Sequence, residues 1–295
     1  MKKHVLMLVS GSLLLMTAAT SCKKNDSSLP PIGGYNSSDE VAKSSLKAHW
    51  TFDDTPNEAI SGAAPTTTKN VSYVTGVKGK AARFASGLLA FNEIAALNTM
   101  PSFTVTSWVN VANNKGGLNS TSCIFSLTRP ATAGVEEWAG NINLLFETAQ
   151  FPSTSDTLRP KILIVPKVNG TPSFQDNIND PTLGGDQVVK GQNTWIFVAA
   201  EWDASTSKLT VWVNGKKVSN PAWEDRKDAG GNPIGALSFF TPTRVVIGGY
   251  ATTAWGTPDT WQQPLVGQID ELRIYSSALS QADMTALMQL EQAGR

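Results

Sequence analysis

The chain has 295 residues, with 24 Lys+Arg against 24 Asp+Glu and a formal net charge of zero. With no positive field to neutralise phosphates, a dedicated nucleic-acid binder is excluded. Hydrophobic residues make up 41% and charged residues 16%, which supplies a sizeable core and excludes wholesale disorder.

The first segment reads as an address. Lys2 and Lys3 precede an apolar run from Val5 to Ala19, closed by Ala19-Thr20-Ser21-Cys22. A basic start, a short apolar stretch and small residues before a cut are the anatomy of a secretory signal peptide, here residues 1–21. The run is shorter than the roughly 20 apolar residues that span a bilayer. Its ending resembles a bacterial lipoprotein lipobox. That resemblance implies lipidation at Cys22, a lipid-anchored place at the outer membrane of the cell envelope, and membrane contact through that anchor alone. Lys23-Lys24-Asn25-Asp26 is compared with surface-export signals, but it lacks their double acid. Residues 22–45 are rich in Lys, Asn, Asp, Ser, Pro and Gly and are expected to form a flexible tether. Residues 46–295 are left as one domain.

Within that domain the dominant period is two. Leu46, Ala48, Trp50 and Phe52 alternate with Lys47, His49, Thr51 and Asp53, the pattern of a half-buried strand. His49 falls on the polar side and is expected at the surface. Strands are predicted at 103–109, 142–146, 161–165, 195–203, 208–213, 244–247 and 267–275. Asn214-Gly215 follows Val213, and this pair adopts positive φ at both turn positions, so a hairpin is predicted there. About ten short strands separated by turn residues read as an all-β sandwich or barrel. No Gly-x-Gly-x-x-Gly string supports a dinucleotide site. One helix is predicted after Ser280, where Ser280-Gln281-Ala282-Asp283 makes a capping pattern and Ala286, Leu287 and Leu290 follow at helical spacing. The expected core contains Trp50, Phe52, Phe84, Phe103, Val105, Phe197, Leu209, Val211, Leu272 and Ile274.

Six segments in order carry a resemblance. They are 48–54, 79–84, 102–109, 194–199, 208–215 and 267–280, including Trp212-Val213-Asn214-Gly215 and Gly267-Gln268-Ile269-Asp270-Glu271-Leu272-Arg273-Ile274-Tyr275. Together they resemble the laminin-G-like, pentraxin-like domain of the concanavalin A-like lectin/glucanase superfamily. The fold implied is a jelly-roll sandwich of two antiparallel sheets with a short C-terminal helix. Domains of this kind bind glycans, bind proteins, bind calcium or space other domains.

Hydrolysis finds little support. With the signal removed, His49 is the one histidine and Cys123 the one free thiol, too few for a His/Cys zinc site. Related sandwich glucanases carry Glu-x-Asp-x-x-Glu, with alternate carboxylates on one face of a strand. The nearest string is Glu201-Trp202-Asp203-Ala204-Ser205-Thr206, which lacks the last acid. Glu136-Glu137 and Asp270-Glu271 are neighbours, which a regular strand points to opposite faces.

Binding has better candidates. Sugars stack their apolar ring faces on flat aromatics and present hydroxyls to amides and carboxylates. Three long loops, at about 169–190, 220–237 and 250–264, carry Trp223, Trp255 and Trp261 beside Asp225, Asp259 and Gln262. These six are the candidate ligand-binding residues. The competing reading packs the three indoles onto the edge of the sandwich. Asp53 and Asp270 lie where the first and last strands meet, and the resemblance places there either a structural calcium ion or fold-fixing hydrogen bonds. The leading expectation is a non-catalytic carbohydrate-binding module whose partner is a polysaccharide. The alternative is an adhesion or assembly module that contacts another envelope protein, and a glycoside hydrolase comes third.

Overall fold

The computed structural model describes residues 29–115 and 121–295. The predicted signal peptide, Cys22 and the first part of the predicted tether lie outside the described residues. The tether's later part differs from expectation. Val41 and Ser38 are fully buried, and Ser38 donates to the carbonyl of Arg295 at the far end of the chain. Residues Ser38–Glu40 and Lys43–Ser45 form single 3-10 turns. The polar composition conceals this because a few apolar residues, Val41 with Ile32, Tyr35 and Ala42, and a network of polar contacts hold the segment.

The strands, in chain order, are β1 (Leu46–Trp50), β2 (Thr67–Thr75), β3 (Lys80–Phe91), β4 (Phe103–Val111), β5 (Ser122–Leu127), β6 (Ile142–Phe146), β7 (Thr157–Leu158), β8 (Pro160–Ile164), β9 (Lys167–Val168) and β10 (Thr171–Pro172). They continue as β11 (Gln175–Ile178), β12 (Val189–Lys190), β13 (Ile196–Asp203), β14 (Lys208–Val213), β15 (Lys216–Lys217), β16 (Val245–Ile247) and β17 (Leu265–Tyr275). Two α-helices occur among the described residues, α1 (Ala251–Trp255) and α2 (Gln281–Gln292).

One large antiparallel sheet runs β11-β8-β6-β5-β16-β3-β17-β4-β13-β14-β15, with β1 added to β17 and β2 to β3. It curls on itself, and its inner faces close over the main core. Every core residue expected from the sequence is buried, none more than 1% exposed. Nine of them line the main core, and Phe197 lies in a second cluster on the other face. Trp50 packs edge-on against Phe91 with ring centroids 5.6 Å apart, the geometry its quadrupole favours. Asn214 and Gly215 take φ of 50° and 77° and make the β14–β15 hairpin. The Asn214 carboxamide oxygen also accepts from the Phe197 N–H at 2.9 Å, which ties the turn to β13.

Helix α2 starts where the capping pattern predicts. Ser280 Oγ accepts from the Asp283 N–H at 3.0 Å. The helix lays Met284, Leu287 and Leu290 on Trp108 of β4, Phe197 and Ala199 of β13, and Tyr275 of β17. The outward face of the sheet is therefore covered as well, and β4 is buried along almost its whole length. His49 corrects the expectation of a surface histidine. It is only 6% exposed, and its Nε2 lies 2.9 Å from Glu271 Oε2. A period-two pattern identifies the face opposite the core, but not what later covers it.

Candidate functional site

The outward face of β5, β6 and β8 carries a second apolar layer. Cys123, Leu145, Leu163 and Val165 point away from the main core and meet Tyr250, Ala139 and the half-buried Trp138 and Trp261. The residues come from different places along the chain. Trp138 sits in the loop between β5 and β6, Tyr250 caps the start of α1, and Trp261 lies in the loop before β17.

Their geometry is specific. The Trp138 and Trp261 ring centroids are 5.0 Å apart with planes 82° apart, and Tyr250 lies 6.2 Å from Trp138 and 5.6 Å from Trp261, also edge-on. Tyr250 is fully buried, and burial drives its hydroxyl pKa well above the usual value. The two half-buried indoles thus pack on a buried, uncharged base. Burial likewise drives the Cys123 thiol far up, so it behaves as an inert apolar residue under this face.

Trp255 stands beside this cluster, at the end of α1. It covers Leu88, Ala90 and Val246, and the Arg244 guanidinium lies 3.6 Å from its ring centroid. Arg244 is fixed in turn by Glu136 at 2.7 Å. A cation therefore occupies one face of Trp255. Gln262 is 1% exposed, and its Oε1 accepts from Thr252 Oγ1 at 2.7 Å and from the Asp259 N–H at 3.1 Å. Its Nε2 donates to Asp259 Oδ2 at 3.3 Å. Gln262 and Asp259 thus brace the loop that carries Trp261.

The structure does not join Trp223 to this group. Trp223 ends a short 3-10 turn, Pro221–Trp223, and is the most exposed of the three loop indoles at 45%. Its neighbour Asp225 forms an exposed ion pair with Lys208 at 2.8 Å. The six predicted ligand residues therefore separate into Trp255, Asp259, Trp261 and Gln262 at one place and Trp223 with Asp225 at another. Trp138 was not among them. Its sequence signal is an indole in a loop directly after the acid pair Glu136-Glu137.

At the meeting of the first and last strands the acids bind backbone. Asp53 Oδ1 accepts from the Lys80 N–H at 2.7 Å, and Asp270 Oδ2 accepts from the N–H groups of Val77 and Lys78 at 2.7 and 3.0 Å. Among the described residues, no group of three or more His, Cys, Asp or Glu side chains is arranged to hold a metal ion. Asp270 and Glu271 also depart from the alternation expected of neighbours. In the pairing with β4, Asp270 faces Trp108 and Arg273 faces Thr106, so β17 holds one extra residue. Glu271 takes φ of 47° in this bulge, and its carboxylate meets Arg273 at 2.6 Å and approaches Lys78 at 3.8 Å. Burial, with the nearby Glu271 charge, raises Asp270 to about 7, against the pull of its backbone donors.

The string considered for hydrolysis is divided between two roles. Burial, then the nearby Asp203 charge, raises Glu201 to about 7. Asp203 instead closes the turn after β13, accepting from Ser205 Oγ and Thr206 Oγ1, both at 2.7 Å.

A curled antiparallel sheet with a helix across one outward face and aromatic loops on another is a concanavalin A-like jelly roll. A family model described as the concanavalin A-like lectin/glucanases superfamily, Laminin_G_3, matches residues 85–285, and the chain belongs to that family. Among solved structures, it is similar to domain 4 of an extracellular arabinanase from Geobacillus stearothermophilus, solved in complex with arabinotriose. That likeness has 19% identity and a TM-score of 0.50, over 82% of this chain and 98% of that one. It is also similar to the ligand-binding domain of botulinum neurotoxin serotype D in complex with N-acetylneuraminic acid. There the identity is 14% and the TM-score 0.53, over 85% of this chain and 52% of that one. At these identities the likeness establishes the fold. A search of curated proteins found no match. No helix among the described residues is long and apolar enough to cross a membrane.

Proposed function

We propose that this protein is a lipid-anchored cell-envelope module that binds a polysaccharide without cleaving it. The observation that carries the reading is the perpendicular Trp138–Trp261 pair, half-buried against the fully buried Tyr250. Two indoles fixed at right angles offer a flat wall and a floor to a sugar ring. The aromatic surface takes the apolar ring face, and the neighbouring ion pair of Glu136 and Arg244 supplies acceptors and donors for hydroxyls. The two similar folds solved with arabinotriose and with N-acetylneuraminic acid make a glycan the natural ligand class to test. The anchor rests on the lipobox-like ending at Cys22.

Protein adhesion is the second reading, and one observation favours it. Val135, next to Glu136 in the loop that carries Trp138, is 69% exposed, and large exposed apolar side chains are common at protein interfaces. A glycan array probed with residues 31–295 separates the two. Retention of a defined polysaccharide supports the first reading. A blank array, together with capture of a defined envelope protein that Val135→Ser abolishes, overturns it in favour of the second.

A further inference from the structure

A cleft of about 270 Å³ lies on the outward face of β3, β17 and β4, away from the tryptophan cluster. Arg83, Gln268 and Asn110 are aligned across these three strands, with Gln268 opposite Arg83 on one side and opposite Asn110 on the other. Asn193 joins them at the edge of the cleft. Neighbouring strands lie about 4.8 Å apart, so this row is a ladder of planar polar groups across three strands. Beside it stands Val266, 60% exposed. It shares the outward face with Gln268 by the alternation of β17, and just beyond it β3 carries a bulge, where Ser86, at φ 54°, is left unpaired between Ala85 and Gly87.

Arg83 has no carboxylate partner and no hydrogen-bond acceptor among the described residues. Other arginines of the fold are engaged, Arg244 by Glu136, Arg129 by Glu137 and Arg273 by Glu271 and Glu291. The nearest acid along β17, Asp270, is buried and turned to the backbone of Val77 and Lys78. A guanidinium left open in a cleft is a fork for a planar anion, and carboxylate fits it with two parallel hydrogen bonds. The amides flanking it donate and accept, as ring hydroxyls require. The exposed Val266 offers an apolar patch for the C–H face of a ring. The volume lies just under the usual range for small-molecule pockets, which suits one sugar unit.

We propose that this cleft is a subsite for a carboxylate-bearing sugar unit, with Arg83 binding the carboxylate and Gln268, Asn110 and Asn193 the hydroxyls. It shares with the preceding section the reading that the ligand is a glycan, but it stands on different residues. The test is isothermal titration of residues 31–295 with trigalacturonic acid, its methyl ester and sialyllactose, repeated on Arg83→Gln and Trp261→Ala. The acid is expected to bind at least ten-fold more tightly than its ester, about 1.4 kcal/mol. Arg83→Gln should remove that difference with the melting temperature unchanged, because Arg83 is exposed. Binding of sialyllactose instead of the uronate, lost in Arg83→Gln, assigns the same fork to a sialate. Equal binding of acid and ester, unchanged binding in Arg83→Gln, or binding of none of the three overturns the proposal. Neutral glycans bound through Trp261, with no preference for acid, would overturn it and leave the preceding reading standing.

Discussion

Arg273 Nε donates to Glu291 Oε1 at 2.9 Å, which joins the last strand to the last helix across a buried interface. Both side chains are fully buried. The same guanidinium reaches Glu271 at 2.6 Å and Asp39 at 3.0 Å, while Trp108 Nε1 donates to Glu291 Oε2 at 2.9 Å. One cation therefore fastens the N-terminal segment, the bulge and α2 to one another. Burial would lower the Arg273 pKa, but Glu291 and Glu271 outweigh it and drive it far up, so the charge is permanent.

Arg273→Met should consequently be strongly destabilising. It leaves two buried carboxylates without their cation, and breaking a buried pair in this way costs about 3–5 kcal/mol. Chemical denaturation monitored by tryptophan fluorescence would measure it. A loss below about 1 kcal/mol would show that α2 is held by Met284, Leu287 and Leu290 alone.

Stability should also change with pH, through carboxyls that the fold prefers protonated. Glu201 and Asp270 are raised to about 7, from ordinary values of 4.5 and 3.8. A group raised on folding contributes stability that is fully present below its unfolded pKa and is lost as pH rises through the folded value. Stability should therefore fall between about pH 4 and pH 8. Glu271 acts at lower pH. Burial would raise it, but the hydrogen bond from His49 and the charges of His49, Arg273 and Lys78 hold it at about 2. Its contribution is present above its unfolded value and is lost as pH falls from there toward about 2. Glu201→Gln should make the neutral limb shallower while Asp270 keeps its share of it, gaining on the order of 2 kcal/mol at pH 8 relative to the parent. An unchanged slope between pH 5 and 8 in that variant would assign the limb to other groups.

The proposed anchor predicts a simple difference in cells. Cys22→Ser should give protein that takes up no fatty-acid analogue and leaves the membrane fraction. Equal labelling of parent and variant would refute acylation at this residue.

How much of this was legible in the sequence follows from what each residue contacts. Alternation and the Asn214-Gly215 pair locate most strands and the last hairpin, because these depend on neighbours in the chain. β5, with Ser122–Leu127 buried on both faces, loses the alternation and was missed. The His49–Glu271 contact is hidden for another reason, since it depends on a bulge in β17, more than 200 residues away. The loop tryptophans were visible as a composition. Which of them meet was not, because Trp138, Tyr250 and Trp261 come together only through the order of β5, β6, β8 and β16 in the sheet.

The tryptophans themselves give the sharpest prediction. Trp138 and Trp261 lean on each other and on Tyr250 and are only half-buried, so each combines a packing role with a surface role. Trp255 is capped by Arg244 and covers Leu88, Ala90 and Val246, so its role is mainly packing. Trp223 is the most exposed of the four and stands outside both clusters. Trp261→Ala should reduce affinity for an array-identified glycan at least ten-fold, about 1.4 kcal/mol, and Trp138→Ala similarly. Each should also lower stability modestly, because half a ring leaves its packing. Trp261→Phe keeps an apolar ring in the cluster and should restore most of the stability but only part of the affinity. Trp255→Ala should lower the melting temperature with little effect on affinity, and Trp223→Ala should change neither. Titration calorimetry and thermal melts on the five variants measure both quantities. If Trp223→Ala abolishes binding while Trp138→Ala and Trp261→Ala only destabilise, the aromatic cluster is scaffold and the glycan lies beside Lys208 and Asp225.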